Sequence, residues 1–285
     1  MFIQIVIPAQ GEHRLLSGLS GLLKTARLEN PKFVGQMIEM EPHVSAERLV
    51  GVLRENHCSP EEFHIRYQEG KRFVKGWDVM ETPAFEESPP WKENGTYLIT
   101  GGLGGLGFIF ANEIARHTKD VTLILTGRSA SGSDSALQLE QLRTQGARVE
   151  YRQVDVSNFK EVEKLVCNIA TEFGGLNGIL HSAGVIKDRL ILNKTAEELQ
   201  AVMAPKVTGL VHLDQATKDL KLDLFVVFSS IYGVLGNPGQ ADYCSANAFM
   251  DAYASYRNEL VRANERSGHT LSVNWTFMER WRHAG

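Results

Sequence analysis

The feature that most limits what this chain can become is a glycine run, Thr100-Gly101-Gly102-Leu103-Gly104-Gly105-Leu106-Gly107. It follows the apolar stretch Tyr97 to Ile99 directly and precedes a segment carrying Ile109, Phe110 and Ile114. Within it Gly102, Gly104 and Gly107 have GxGxxG spacing. Between a strand and a helix each glycine has a separate reason: Gly102 permits the tight turn, Gly104 lets backbone approach a pyrophosphate, and Gly107 lets helix and strand pack closely. Gly105 and Leu106 complete the loop, and the positive end of the helix faces the phosphates. A glycine loop can also be only a mobile turn, but the strand before it and the helix after it favour a dinucleotide-binding βα unit.

The remaining sequence beyond the loop keeps that rhythm. Short apolar runs, VTLILT, VEYRQV, GILHSA, LFVVFSS and LSVNW, alternate with helical stretches. The helix expected from Ser157 places Val162, Leu165, Val166 and Ile169 on one stripe behind a polar N-cap. Such alternation predicts a doubly wound parallel α/β sheet, Rossmann-like, over residues 96–285, with ligands at the carboxyl ends of the strands. Residues 81–95, rich in proline and glutamate, read as a connector. Residues 1–80 predict a smaller α/β subdomain that serves as a packing partner. Its expected elements are a strand FIQIVI, a helix over 16–27, a strand FVGQMIEM, a helix over 46–54 and two strands turning at Glu69-Gly70.

Composition closes off other classes. Of 285 residues 43% are hydrophobic and 22% charged, which excludes wholesale disorder. Thirty basic against thirty-four acidic residues leave a net charge of −4, with no general positive field for nucleic acid. Cys58, Cys167 and Cys244 stand too far apart for a metal or redox pair, so no metal is expected. No apolar run approaches the ~18 residues of a membrane span, and no secretory signal is evident, so a cytoplasmic location is expected.

Two positions after the loop bear on the cofactor. Where an acid would hold a ribose 2′-hydroxyl, roughly twenty residues on, the chain has Gly127-Arg128. An arginine there suits a 2′-phosphate, which predicts NADPH, although Arg128 could also be a solvated cation. Asp155, ending the third strand, could accept from the adenine amino group or merely open the next helix. Further on, Tyr243 and Asn247 share a helix face at i, i+4, Ser230 ends an apolar strand, and Lys206 lies in the helical segment MAPKVTGL. Singly, each has a bland structural reading.

In combination, TGGxGxxG, HSAGV, PKVTG, FSS and YxxxN resemble the ketoreductase domain of modular polyketide synthases, a branch of the short-chain dehydrogenases/reductases. The resemblance runs from about Gly95 to Trp275, and SGLLKTARLENP is similar to part of that family's structural subdomain. Asn247 and Lys206 occupy the exchanged positions that mark the synthase branch. The resemblance implies that Tyr243 is the general acid, Ser230 orients the keto oxygen, Lys206 lowers the phenol's pKa and holds the nicotinamide ribose, and Asn247 supports a proton relay. Val156, Ala183 and Gly184 join the cofactor-binding set. The implied reaction is NADPH-dependent reduction of a 3-ketoacyl thioester carried on the phosphopantetheine arm of an acyl carrier protein.

The same resemblance implies a stereochemistry. Ile186-Lys187-Asp188 keeps the last aspartate of the family's entry motif, and Leu235 stands where the opposite type has tryptophan. Asp188 and Leu235 together imply a B-type domain giving a D-configured hydroxyl, and Ser245, where epimerising members tend to have proline, implies no α-epimerisation. Lys187, Arg189, Arg280 and Arg282 are candidate contacts for an acidic carrier. After Asn274-Trp275 the usual proline is replaced by Thr276. With the chain ending at Gly285, the family's lid helix and last strand would be missing, and the chain reads as a segment of a larger synthase polypeptide whose other domains are partners. A free-standing small-ketone reductase and a non-catalytic scaffold of the same fold are the alternatives.

Overall fold

The computed structural model describes residues 1–79, 89–130 and 132–276. Two compact units are present. One comprises Met1–Glu87, Ile186–Leu199 and Ser230–Tyr256, and the other Ser88–Val185, Gln200–Ser229 and Arg257–Gly285. Most of the connector expected over 81–95 lies outside the described residues, as do Arg280 and Arg282.

The amino-terminal part begins with β1 (Phe2–Pro8), a 3₁₀ turn over Glu12–Gly18 and α1 (Leu19–Glu29). There follow β2 (Val34–Met40), α2 (Ala46–His57), β3 (His64–Gln68) and β4 (Lys71–Val74). The strands form one sheet in the order β1-β2-β3-β4, the first two pairings parallel and the last an antiparallel hairpin. The hairpin turns where expected, with Glu69 at φ 52° and Gly70 at φ 72°. The first helix differs from expectation: glycines at 18 and 21 let this stretch sit against the start of a later helix, and residues 12–18 take the tighter 3₁₀ form. Ile38, Met40, Val52, Ile65 and Tyr67 form one core, and Ile7, Leu23 and Met37 another.

The larger sheet is built from β5 (Thr96–Thr100), α3 (Gly105–His117), β6 (Thr122–Gly127), α4 (Ser133–Thr144), β7 (Arg148–Gln153), α5 (Phe159–Phe173) and β8 (Gly178–His181). The chain continues through α6 (Ala196–Met203), α7 (Gly209–Ala216), β9 (Leu224–Ser230), α8 (Ile231–Leu235), α9 (Ala241–Arg262) and β10 (His269–Trp275). Its strand order is β10-β9-β8-β5-β6-β7, and the pairings from β7 through β9 are parallel. Strand order therefore reverses between β5 and β8, the place where such sheets take ligands. β5 and β8 are buried throughout, as expected for strands covered on both faces. The α5 stripe of Val162, Leu165, Val166 and Ile169 is buried, but the N-cap is Asn158, whose side chain accepts from the Lys160 amide. Ser157 instead bonds Asp155. Among the described residues no helix is long and apolar enough to cross a membrane.

Candidate active site

At the reversal point the glycine loop is shaped by crowding. Gly101, with φ 64°, holds a left-handed conformation, and a Cβ there would stand 3.0 Å from the Ala183 backbone. A Cβ on Gly102 would meet the Ile99 carbonyl at 2.8 Å, and one on Gly107 the Gly101 carbonyl at 2.5 Å. The glycines are thus obligatory for packing, while Gly104 and Gly105 are exposed. Gly104 caps α3 in an extended conformation, leaving the amides of Gly105, Leu106 and Gly107 without acceptors inside the helix. A positive, donor-rich terminus with no side chain in the way suits a pyrophosphate.

Along the same sheet edge Gly127 passes under the Tyr151 hydroxyl, which a Cβ would meet at 2.6 Å. Arg128 follows it, exposed. Burial works to raise the Asp155 carboxyl, but hydrogen bonds from Ser157 and the charge of Arg128 outweigh it, and the group lies below its ordinary value. Val156 is buried, in close approach to Gly209. On the other side of the reversal, Ala183 donates its amide to Thr100 Oγ1 at 3.4 Å.

Lys206 is 5% exposed, with Nζ donating to the Phe228 carbonyl at 2.9 Å and its Cε beneath Gly184, where a Cβ would stand 2.9 Å away. Its backbone is not the α-helix expected from MAPKVTGL. Residues Ala204–Thr208 form a π-helical turn between α6 and α7. Pro205 has no amide hydrogen for the regular ladder, and a wider turn accommodates that loss. His181, which sequence reasoning passed over inside HSAGV, is completely buried behind this turn. Its Nε2 bonds the Pro205 carbonyl at 3.0 Å and its Nδ1 bonds Thr100 Oγ1 at 2.7 Å. A carbonyl only accepts, so Nε2 carries a proton, and in the neutral ring Nδ1 accepts from the Thr100 hydroxyl. Burial, then the charge of Lys206, push the imidazole down to about 3. A histidine closing an apolar strand was the available signal.

Ser230, Tyr243 and Asn247 gather on the other unit. Ser230 ends β9 and caps α8, its Oγ accepting from the Tyr232 amide at 3.3 Å. The Tyr243 phenol is hydrogen-bonded by the side chains of Ser230 and Asn247. Asn247, fully buried, also donates Nδ2 to the Tyr243 carbonyl at 2.7 Å, one turn back on α9. Burial holds the phenol above its ordinary value against the pull of those two donors, whereas the resemblance implied a lowered one. Asp188 is exposed and accepts from Gln240 Nε2 at 2.8 Å, and Leu235 is 55% exposed. Arg189 lies 3.3 Å from Glu198, so it is not a free cation, while Lys187 is exposed.

A six-stranded sheet with its glycine loop at the order reversal, followed by a Ser-Tyr-Asn group after the fifth strand, has the architecture of the short-chain dehydrogenases/reductases, oxidoreductases that use a nicotinamide cofactor. The chain falls in that class. More narrowly, the KR domain family matches residues 95–280, and the chain belongs to it, as a ketoreductase domain of a polyketide synthase. It is 51% identical over 285 residues to polyketide synthase PksN and 50% identical over 284 residues to PksL, both of Bacillus subtilis (strain 168). All of this chain is covered in each case, but only 5% and 6% of those proteins. Among solved structures, a ketoreductase domain from the bacillaene assembly line matches with TM-score 0.93 and 47% identity, covering 98% of this chain and 66% of that one. An N-terminal ketoreductase from the macrolactin assembly line matches with TM-score 0.83 and 36% identity, covering 100% and 57%.

Proposed function

We propose that the chain reduces a 3-ketoacyl thioester to the D-configured 3-hydroxyacyl thioester with NADPH, the substrate arriving on the phosphopantetheine arm of an acyl carrier protein within a larger synthase. The observation that carries this reading is the Tyr243 phenol hydrogen-bonded by both Ser230 and Asn247. A neutral, raised phenol with donors ordered around it holds its proton until a developing alkoxide takes it.

The chain's residues fit the cofactor. Obligatory glycines at 101, 102 and 107, with exposed backbone at Gly104 and Gly105, make a cradle that any side chain would fill. The amides of Gly105, Leu106 and Gly107 hold the pyrophosphate, Arg128 the 2′-phosphate, Asp155 with Val156 the adenine, and Ala183, Gly184 and Lys206 the nicotinamide ribose side. When bound, NADPH supplies hydride to the keto carbon. The protein does the rest: Ser230 orients the keto oxygen, Tyr243 donates the proton, and Asn247 fixes the helical turn on which the phenol sits. Lys206, its ammonium held by the Phe228 carbonyl, contributes positive charge and a ribose contact.

Asp188, which keeps the last aspartate of the family's entry motif, supports the D configuration, and such a facial choice needs only ~3 kcal/mol between two poses for better than a hundredfold ratio. The test is NADPH oxidation with a carrier-bound 3-ketoacyl substrate, followed by chiral chromatography of the product. A D alcohol is expected. No oxidation would reject the activity, and a mainly L product would reject the stereochemical assignment.

A further inference from the structure

A chain of polar links ties α1 to two segments that precede Tyr243, one around residues 188–191 and one at residues 234–240. Glu29, the last residue of α1, spends its two carboxylate oxygens on two different stretches of backbone. Oε2 accepts from the Ile191 amide at 2.8 Å, and Oε1 accepts from the Gly239 amide at 2.9 Å. Those stretches are also joined directly: the Arg189 amide donates to the Gly239 carbonyl at 2.8 Å, and Gln240 Nε2 donates to Asp188. The Cys244 amide then donates to the Gln240 carbonyl at 2.7 Å, and Lys194 pairs with Asp242 at 2.7 Å, both within one turn of Tyr243. Earlier on α1, Thr25 Oγ1 accepts from the Asn237 amide at 3.2 Å, and Lys24 donates to the Val234 carbonyl.

We propose that Glu29 is a positioning residue for the reduction: it fixes residues 188–191 against residues 236–240 and thereby sets the pose in which a ketone meets Tyr243. The proposal rests on the reading of Tyr243 as proton donor. Both partners of Glu29 are backbone amides, so they demand an acceptor, and only a carboxylate offers one at each end. Glutamine keeps the volume but turns an NH₂ group toward one amide, cutting one of the two links. Tightly held walls beside a reacting group matter because an ångström of misplacement can cost two orders of magnitude in rate.

The experiment uses the full chain and compares the parent, Glu29→Gln, Glu29→Ala and a surface control, Glu61→Gln. Steady-state rates, NADPH affinity by fluorescence, product enantiomer ratio and thermal unfolding are all measured. Glu29→Gln is expected to lower kcat roughly tenfold and to erode the enantiomer ratio. NADPH affinity should stay within about twofold of the parent and the control should behave as the parent. A lowered unfolding temperature with unchanged kcat and product ratio would make Glu29 merely structural and overturn the proposal. Should Glu29→Ala fail to fold, Glu29→Gln decides. A parent chain that reduces no ketone would overturn both this inference and the reading beneath it, whereas an active parent with an insensitive Glu29→Gln overturns this inference alone.

Discussion

His181 Nε2 donates to the carbonyl of Pro205, the residue immediately before Lys206. One neutral ring thereby connects the end of β5, through Thr100, to the turn that presents the ammonium. Because burial depresses the folded-state pKa to about 3, the unfolded chain binds more protons between that value and the ordinary ~6.5. Stability from this group is therefore complete above about pH 6.5 and is lost as pH falls toward 3, by up to about 5 kcal/mol. His181→Gln, which can donate to Pro205 and accept from Thr100, should flatten the dependence of unfolding free energy on pH in that window. Denaturant titrations at pH 4, 5, 6 and 7 check it; parallel curves for parent and variant would remove the assignment.

Tyr243→Phe deletes the proton and keeps the ring. The rate should fall on the order of 10²–10⁴-fold, the usual worth of general acid catalysis, with cofactor affinity preserved. Since burial raises the phenol, the parent's activity should persist upward in pH to beyond the ordinary tyrosine value of ~10 before proton loss abolishes it. Retention of a third or more of the activity by the variant would assign the proton to another donor.

Arg128→Ala removes the exposed guanidinium at the end of β6. NADPH affinity should drop at least tenfold and NADH affinity less than twofold, because only the former carries a 2′-phosphate to compensate. Fluorescence titration with both cofactors is the measurement, and equal losses would make Arg128 structural.

The parallel sheet and its helices were legible because a buried strand must be apolar and an amphipathic helix must repeat: VTLILT and the α5 stripe leave little choice. The glycine loop was legible for the same reason, since no other residue tolerates those approaches. Gly101 was overlooked because GxGxxG spacing skips it, although its left-handed φ is what turns the chain. The π-helical turn at Lys206 has no periodic signature of its own, so MAPKVTGL reads as an ordinary helical segment. Glu29 was invisible for a deeper reason: its partners are backbone amides more than 160 residues away, and backbone carries no sequence signal.

Gly18 and Gly21 of the amino-terminal region lie against α9 so closely that a Cβ would stand 2.9 Å from Phe249 Cβ and 2.3 Å from the Cys244 carbonyl. Residues from the first thirty and from 230–256 therefore interlock as co-adapted surfaces, although some two hundred residues separate them. For anyone recombining synthases, this sets where a crossover can fall. An exchange whose junction lies between the two, even at the proline-rich stretch that looks like a natural seam, pairs a helix with a foreign counterpart. A transplant that carries both stretches from one parent keeps that fit.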